Sequence, residues 1–476
     1  MSGSRTLTRI QAADAWAIGR LDGHAQAELA RRGEVSVAEL TEAAILRVEA
    51  LDPTLNSFCH RAFDIARARA ADAPPPSAAR QLSGVPWIIK DSLRYPGMPA
   101  FSGSRAKTEL SDAPPWPFAG RYDAEGLVPL GKSAMPEFGL LGSTETLRFG
   151  VTRNPWDFER TCGGSSGGAA AAVASALAPL AHASDAAGSI RIPAAACGVI
   201  GYKPGRGANV RARDFHWLDD LLCGDSLLGR SLRDVAWAAA RAKPEAAAPI
   251  AAPSRQRLRI GLMLQGMDGS MPEPAIAEAV HVAADLCADL GHRVTLLQRP
   301  ADHADLLHAL FDVLWPYIGG EAVDHYRGDG RRLDDLLEPW TLTLGVQRDG
   351  ITPERFEAAM AWLARAPAIN ARTFEEVDVV LSPTTGRLPP ALGVLAPTRS
   401  YREMLADLIA FIPYTPLQNM AGAPAISLPL TATADGLPIG VMLAGDRGAD
   451  DLLLSLAFEL EAARPWAARW PACVPV

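Results

Sequence analysis

Two adjacent serines stand in a glycine-rich stretch that runs into a series of alanines. The stretch reads CGGSSGGAAAA, and its serines are Ser165 and Ser166. Glycine adopts backbone conformations that other residues avoid, and alanine favours helix. The pattern therefore predicts a tight loop that opens into a helix. Such a loop can hold a phosphate, present a serine to a substrate, or serve only as a structural turn.

A further serine, Ser189, follows 24 residues after Ser165 in the stretch SDAAGSIRIPA. Its small neighbours leave backbone amides uncovered, and amides beside a serine hydroxyl can form an oxyanion hole. A nucleophilic serine also needs a base. His182 lies seven residues before Ser189, and the sequence alone does not exclude it as that base.

The scarcity of lysine favours a different base. The chain has five lysines against 41 arginines, and lysine, unlike arginine, can give up its proton when buried. Lys90 ends the apolar run VPWIIK, an environment that lowers a lysine pKa. The alternative is a structural lysine at a strand end, paired with the adjacent Asp91.

A fourth pattern, GLVPLGKS at Gly126–Ser133, matches the G-x-x-x-x-G-K-S of phosphate-binding loops. In such a loop Lys132 would contact phosphate, and a helix would follow at once. Here the residues between the glycines are bulky and apolar, and Pro136 follows shortly after. We interpret the stretch as a strand. A nucleotide-binding ATPase that uses Lys132 is kept as a distant alternative.

Bulk composition excludes several classes of protein. The 476 residues carry a net charge of −8, so no basic surface for nucleic acid is indicated. The six cysteines form no CxxC pair, and Cys162 and Cys197 are expected to be packing residues. No metal or cofactor is expected. The sequence shows no apolar run typical of a signal peptide or a membrane span, so we expect a cytoplasmic protein without membrane partners.

The order of elements favours an α/β protein. Ser36 with Glu39 matches a capping box and predicts a helix start. Residues 84–93 are predicted to form a buried strand, and residues 244–256 to form a linker-like stretch. Beyond that stretch, strand and helix patterns alternate, which is typical of a layered α/β architecture.

Several motifs in one order resemble the amidase signature family. The spacings also agree, with 75 residues from Lys90 to Ser165 and 24 more to Ser189. The resemblance implies one large α/β domain over 1–476, with a mixed central sheet covered by helices. Within it we expect a helical part at about 1–75, core motifs at 84–207 and a substrate-shaping segment at about 302–350. The motifs are GVPWIIKDSL, GLVPLGKSAMPEFG, FGVTRNPWD, CGGSSGG, SDAAGSIRIPAAACGVIGYKP, GAPAISLPL and GLPIGVML.

The resemblance implies a Ser–cis-Ser–Lys triad. Ser189 would be the nucleophile that carries the acyl group. Ser165, with the family's cis peptide bond before it, would pass the proton to Lys90, the base. Ala187 stands where the family commonly has glycine, and a positive φ at Ala187 would strain the backbone. The predicted oxyanion hole consists of the backbone amides of Ala186, Ala187, Gly188 and Ser189. The predicted supporting residues are Gly164, Ser166, Asp185 and Arg191, of which the last two are expected to order the loop.

Within the family, the sequence looks most like the branch with 6-aminohexanoate cyclic dimer hydrolases, aryl acylamidases and urethane-cleaving amidases. That branch predicts a small-molecule substrate, an apolar or aryl amide or a carbamate. The alternative within the family is a partner-dependent amidotransferase-type subunit that releases ammonia. The chain itself is expected to be a monomer or a homodimer. The second expected substrate-shaping region is the loop of residues 205–217. Candidate substrate-shaping aromatics in the two regions, each with core packing as its alternative, are Phe311, Trp315, Tyr317, Phe215 and Trp217.

Overall fold

The computed structural model describes residues 11–74, 76–328 and 330–475; the first ten residues of the expected N-terminal part lie outside these ranges. The strands are β1 (Phe58–Arg61), β2 (Pro86–Lys90), β3 (Val128–Ser133), β4 (Glu145–Thr146), β5 (Gly150–Val151), β6 (Arg153–Asn154), β7 (Asp157–Thr161), β8 (Leu180–Asp185), β9 (Gly201–Lys203), β10 (Gly224–Gly229), β11 (Arg259–Leu262), β12 (Arg293–Leu296), β13 (Val379–Pro383), β14 (Ala425–Ala432) and β15 (Pro438–Ala444).

Helices separate most of these strands. They are α1 (Ala12–Gly19), α2 (Gly23–Arg31), α3 (Val37–Leu55), α4 (Phe63–Asp72), α5 (Pro117–Glu125), α6 (Gly167–Ala174), α7 (Arg191–Cys197), α8 (Trp217–Leu222), α9 (Leu232–Ala242), α10 (Pro274–Asp289), α11 (Asp302–Ala309), α12 (Trp315–Arg327), α13 (Leu333–Leu336), α14 (Pro339–Asp349), α15 (Pro353–Thr373), α16 (Tyr401–Phe411), α17 (Pro416–Ala421) and α18 (Asp450–Ala463). A short 3₁₀ turn, Glu137–Gly139, and a π-helical segment, Leu310–Leu314, complete the set.

A five-stranded sheet and a six-stranded sheet join into one mixed central sheet. The first has the order β1-β3-β2-β8-β10, and the second has the order β12-β11-β13-β15-β14-β9. An isolated bridge between Ile200 and Gly229 connects them, with Ile200 N donating to Gly229 O at 2.8 Å. The expectation of a single α/β domain with a mixed central sheet is therefore confirmed.

The parallel strands β2 and β8 bring the predicted catalytic segments to one edge of the sheet. Trp87 lies opposite Leu180, and Ile88 lies opposite Ala181. The carboxyl ends of parallel strands meet at the same edge, where α/β proteins commonly place their sites. Lys90 ends β2, and the SDAAGS segment begins at the end of β8.

Alanine-rich helix α6 packs inside the molecule, behind this edge. Every residue of α6 is buried, and its alanines share a core with Ala44 and Val48 of α3 and with Ile88 of β2. Small side chains permit this close approach of helix to sheet. Helix α3 begins at the predicted capping box, since Ser36 Oγ accepts from Glu39 N at 3.1 Å and Glu39 Oε2 accepts from Ser36 N at 2.7 Å.

The Gly126–Ser133 pattern is not a phosphate-binding loop, so the ATPase interpretation is wrong. Val128–Ser133 is strand β3, buried throughout and paired with β1 and β2. The Lys132 ammonium donates to the Leu93 carbonyl inside the core. A side chain at Gly131 would overlap the His60 carbonyl, so this glycine serves the strand pairing.

The predicted linker-like stretch 244–256 contains neither helix nor strand and lies between α9 and β11. Within the described ranges, no helix is both long and apolar enough to span a bilayer. The same residues contain no group of three His, Cys, Asp or Glu side chains placed to hold a metal ion.

Candidate active site

Lys90 lies at the centre of the site, with its ammonium directed at two serines. Its Nζ lies 2.8 Å from Ser165 Oγ, 2.9 Å from Ser184 Oγ and 3.4 Å from Ser184 O. The side chain is 1% exposed. Burial, followed by the positive charge of Arg213, lowers the pKa of Lys90 to about 7. A large fraction of Lys90 is therefore neutral near pH 7, which is the state a general base requires.

Asp91 is not the partner of Lys90. Its carboxylate accepts from the backbone N–H groups of Phe101 and Gly103, each at 2.8 Å. The alternative of a structural Lys90–Asp91 pair is therefore wrong.

Ser165 follows a cis peptide bond, Gly164–Ser165. A side chain on Gly164 would come within 2.6 Å of the Ser143 carbonyl, so the loop has no room for a larger residue there. Glycine is needed here because of this close approach of backbone to backbone. The loop then opens into α6 at Gly167, as its sequence predicts.

Ser166 ties the glycine loop to the SDAAGS segment. Its Oγ lies 3.3 Å from both the N and the O of Ser184. Its backbone N–H donates to the Ser189 carbonyl at 3.2 Å. Ser166 therefore holds Ser165 and Ser189 in neighbouring segments.

Ser189 is 8% exposed, and its hydroxyl forms no hydrogen bond with any residue in the described ranges. The structure thus contains the Lys90–Ser165 contact of the predicted relay but no Ser165–Ser189 hydrogen bond. His182 does not contact Ser189, because its Nε2 lies 3.1 Å from Asp225 Oδ1 instead. Burial also lowers the pKa of His182.

Asp185 and Arg191 form a fully buried, two-bond ion pair that orders the loop carrying Ser189. Arg191 donates from Nε to Asp185 Oδ2 at 2.9 Å and from Nη2 to Oδ1 at 3.0 Å. The carboxylate also accepts from Gly188 N at 2.7 Å and Ile190 N at 3.1 Å. Burial raises the pKa of Asp185, but the charge and hydrogen bonds of Arg191, with the charge of Lys203, outweigh it and lower the pKa to about 2.

These bonds reduce the number of N–H groups available to the predicted oxyanion hole. The Gly188 N–H already donates to Asp185, so it is not available to a substrate oxygen. The N–H groups of Ala186, Ala187 and Ser189 form no hydrogen bond with any residue that the structure describes. Three of the four predicted donors therefore remain free.

Gly188, rather than Ala187, is the position that requires glycine. Gly188 has a φ of +131°, and a side chain there would overlap Thr415 and Ile192. Ala187 does not have a positive φ. The alanine that departs from the common family pattern is therefore accommodated without backbone strain.

Helix α17 and the residue that precedes it, Thr415, supply contacts that the sequence reasoning missed. Asn419 Nδ2 donates at 2.8 Å to both the carbonyl and the Oδ1 of Asp185. Thr415 Oγ1 donates to the Ala187 carbonyl at 2.7 Å. These residues directly precede the GAPAISLPL motif, which was the one sequence signal that could have drawn attention to them. Ser184 was also missed as a partner of Lys90.

The two cysteines near the motifs are packing residues. Cys162 and Cys197 are fully buried. Burial raises the pKa of the Cys162 thiol to about 12 and raises that of Cys197 as well. Both thiols therefore stay protonated, which agrees with the expectation that neither is a nucleophile.

The two predicted substrate-shaping segments lie against each other. Trp217, at the end of residues 205–217, packs edge-on against Phe356 at 6.0 Å between ring centroids. Tyr317 lies 4.2 Å from the same ring, and His216 Nε2 lies 2.9 Å from Glu321 Oε2. Phe311 and Trp315 are buried core residues, as their alternative interpretation stated, and Phe215 is 80% exposed.

That core extends to the predicted oxyanion segment. Ala187 shares one apolar cluster with Leu140, Phe311 and Trp315, and Ala186, Phe138 and Tyr317 pack against it. The Trp315 indole N–H donates to the Leu140 carbonyl at 3.1 Å. Segment 302–350 therefore contributes an apolar wall next to the SDAAGS segment.

Comparison with known proteins supports the resemblance to amidases that the sequence motifs indicate. The chain is 37% identical to a putative amidase, AmiC, of Mycobacterium tuberculosis, over 97% of this chain and 98% of the relative. It is 34% identical to a 6-aminohexanoate-cyclic-dimer hydrolase of Pseudomonas sp. (strain NK87), over 94% of this chain and 96% of that protein.

Solved structures agree with these relatives. A 6-aminohexanoate cyclic dimer hydrolase superposes with a TM-score of 0.87 at 32% identity, over 96% of this chain and 99% of that one. A bacterial aryl acylamidase superposes with a TM-score of 0.82 at 25% identity, over 97% and 100%. The amidase family profile matches residues 39–454. With this match over most of its length, the chain belongs to the amidase family, and it is a hydrolase that acts on C–N bonds of amides.

Proposed function

We propose that this amidase cleaves apolar or aryl amides through an acyl-enzyme on Ser189, with Ser165 and Lys90 as its proton relay. The observation that carries the proposal is the 2.8 Å contact between Lys90 Nζ and Ser165 Oγ, made by a buried lysine. An uncharged amine in that position accepts a proton from Ser165 as Ser165 accepts one from Ser189. The Ser165–Ser189 hydrogen bond forms with bound substrate, since such bonds commonly tighten only then.

The reaction begins when Ser189 Oγ attacks the carbonyl carbon and its proton moves through Ser165 to Lys90. The N–H groups of Ala186, Ala187 and Ser189 hold the oxyanion that develops. The C–N bond then breaks, and the proton returns through Ser165 to the leaving nitrogen. Water finally attacks the acyl-enzyme, releases the acid and restores the Ser189 hydroxyl.

The apolar wall next to the SDAAGS segment supports the proposed substrate class. Ala187 lies in one cluster with Leu140, Phe311 and Trp315, and similar proteins include an aryl acylamidase and a 6-aminohexanoate-cyclic-dimer hydrolase. A substrate that lays an apolar acyl or aryl group against the partly buried residues of this wall, Phe138, Ala186 and Tyr317, gains about 25 cal/mol per Å² of apolar surface. The same attack on a carbamate carbonyl would yield amine, alcohol and carbon dioxide, so we extend the proposal to urethanes.

A substrate panel tests this function. Purified protein is given an anilide, an aliphatic lactam, an aryl carbamate and glutamine, and amine release is measured beside a Ser189→Ala control. We expect turnover of the anilide or lactam that is absent in Ser189→Ala. Equal rates for the two proteins would contradict the acyl-enzyme proposal. Glutamine as the only accepted compound would favour the amidotransferase-type alternative.

A further inference from the structure

A cluster of three charged or titratable side chains lies on β8, on β10 and in the loop of residues 205–217 between them in the chain, next to the strand β2 that carries Lys90. None of the three takes part in the proposed relay. Asp225 Oδ1 accepts a hydrogen bond from Arg213 Nη2 and lies 3.1 Å from His182 Nε2. His182 is 1% exposed, Asp225 is 11% exposed and Arg213 is 27% exposed. We call these residues the Arg213–Asp225–His182 cluster.

The strand register places this cluster next to the groups that hold Lys90. Asp225 of β10 lies directly opposite Ser184 of β8. Residues opposite each other in an antiparallel pair project from the same face with their Cβ atoms about 4.5–5.5 Å apart. Ser184 in turn contacts Lys90 Nζ through its hydroxyl at 2.9 Å. Asp225 and its partner Arg213 therefore lie close to the base.

Arg213 reaches the cluster from the loop of residues 205–217. Asn209 of the same loop donates to the Asp225 carbonyl at 2.7 Å, and His216 and Trp217 contact Glu321 of α12. Arg213, Cys223 and Asp225 also line a cleft of about 310 Å³ on this side of the site. The loop thus connects the substrate-shaping helices to the surroundings of Lys90.

We propose that Arg213 is a positioning residue that acts on Lys90 through its ion pair with Asp225, so that this pair sets how readily Lys90 accepts a proton. The inference rests on the proposed role of Lys90 as base. A positive charge at Arg213 opposes protonation of Lys90, and the negative charge of Asp225 favours it. The charged and titratable groups that act on Lys90 come from β8, β10, the residue before β10 and the 205–217 loop: Asp185, His182, Asp225, Cys223 and Arg213.

Removing the positive charge and removing the negative charge should shift the pH profile in opposite directions. A purely structural role of the two residues would not produce this difference. Arg213→Gln removes the opposing charge, so the pH below which activity falls moves upward. Asp225→Asn removes the favouring charge and keeps an oxygen for Arg213 and His182. The acid limb of its pH profile, which is the pH range in which activity falls, therefore moves downward. Each shift is expected to be on the order of one pH unit. Arg213→Lys keeps the charge and should hold the limb close to the wild-type position.

The experiment measures the rate of inactivation by phenylmethanesulfonyl fluoride from about pH 5 to about pH 9, since this rate follows the fraction of neutral base. Matched controls are Arg259→Gln and Asp378→Asn, which break an exposed Arg–Asp pair of 2.8 Å far from Lys90 in the sheet. Their profiles should coincide with the wild type.

The outcomes separate this inference from the function on which it rests. Limbs that move upward for Arg213→Gln and downward for Asp225→Asn support it. Limbs that stay with the wild type, or move in the same direction, overturn it. A Lys90→Met variant that is inactivated as fast as the wild type, with the same pH profile, would instead overturn the proposed function.

Discussion

At the scale of single residues, the proposed relay depends on a lysine that its surroundings make neutral. Burial and the Arg213 charge lower the pKa of Lys90 to about 7, and two hydroxyls lie within 2.9 Å of its Nζ. An arginine in this position would remain charged and would donate only. The proposed role as base therefore requires lysine, and not arginine, at the end of β2.

The role of Lys90 predicts both a mutational and a pH effect. Lys90→Met should lower kcat/KM by about 10²–10⁴-fold, the usual contribution of a general base, and Lys90→Arg should not restore it. Because Lys90 acts in its neutral form, wild-type kcat/KM should fall as the pH drops through about 7. Steady-state kinetics over the pH range measures both effects. A wild-type rate in Lys90→Arg would contradict the assignment.

Two neighbouring positions in the SDAAGS segment should differ in their tolerance of a methyl group. Gly188→Ala forces a side chain into the left-handed region and against Thr415, which should cost at least roughly 1–2 kcal/mol of the free energy of unfolding. Ala187→Gly is the matched control, and it should cost no more than about 1 kcal/mol. Denaturant unfolding of both variants measures this. Equal losses would mean that the Gly188 backbone is not constrained as described.

Sequence reasoning recognised the residues that carry unusual chemistry and missed those that only make contacts. Lys90 stood out by its rarity, and Ser165 by its glycines. Asn419 lies 234 residues after Asp185, and Thr415 lies 228 residues after Ala187. Only the tertiary fold therefore reveals these contacts. The hydrogen bond from the Gly188 N–H to Asp185 spans only three residues, and it was missed because the sequence does not give the backbone conformation of the SDAAGS segment.

At the scale of elements, a buried carboxylate links the 3₁₀ turn beside Ser165 to helix α14. Glu137 accepts from Ser104 Oγ at 2.7 Å, from Glu338 N at 2.8 Å and from Thr341 Oγ1 at 2.6 Å. Glu338 accepts from Leu147 N at 2.7 Å. These bonds join the core motifs to the helices of segment 302–350, and so fix the apolar wall relative to the proposed catalytic residues.

The pair Glu137–Glu338 predicts a pH-dependent stability. Burial, followed by the charge of Glu137, raises the pKa of Glu338 to about 8 from an ordinary 4.5. The folded protein therefore holds a proton that the unfolded chain releases, so stability falls as the pH rises from about 4.5 to about 8. Glu338→Gln keeps the uncharged form and should raise the melting temperature at pH 8 to 9.

The control for this prediction is Glu357→Gln, at an exposed position of α15. It should leave the pH dependence of the melting temperature unchanged. Differential scanning fluorimetry at several pH values compares the two variants with the wild type. A Glu338→Gln variant that melts below the wild type at pH 9 would show that Glu338 is stabilising as a carboxylate.

Local sequence signals predicted elements well where they were self-contained. The capping box set the start of α3, and the glycine-to-alanine change set the start of α6. The GLVPLGKS pattern shows the limit of such signals, because its two glycines fit a phosphate loop as well as they fit a helix end at Gly126 and a close strand pairing at Gly131. Only the burial of Lys132 against Leu93 decides between them.

At the scale of the whole molecule, the central sheet contains strands from both sides of the predicted linker-like stretch. Strand β9 precedes residues 244–256 and β14 follows them, yet the two pair through Lys203 with Ala425, Tyr202 with Ile426 and Gly201 with Ser427. The Asp185–Asn419 bonds cross it as well. The irregular stretch therefore does not separate independent halves. Composition predicts a linker-like stretch there, and only the strand pairing shows that the core is continuous across it.

A cut within this stretch should leave the molecule assembled and active. Arg255 is exposed in irregular structure, so brief trypsin treatment should cleave after it first. The nicked protein should elute at the size of the intact chain and retain its turnover, while denaturing electrophoresis shows two fragments. Fragments that separate without denaturant would contradict a single sheet-spanning core.

The most direct test of the account is to locate the nucleophile chemically. The protein is treated with a fluorophosphonate, and the adduct is identified by peptide mass spectrometry in the wild type, in Lys90→Met and in His182→Gln. We predict one adduct on Ser189, strongly slowed in Lys90→Met and retained in His182→Gln. An adduct on Ser165 or another residue, or one on Ser189 formed equally fast without Lys90, would contradict the Ser189–Ser165–Lys90 relay.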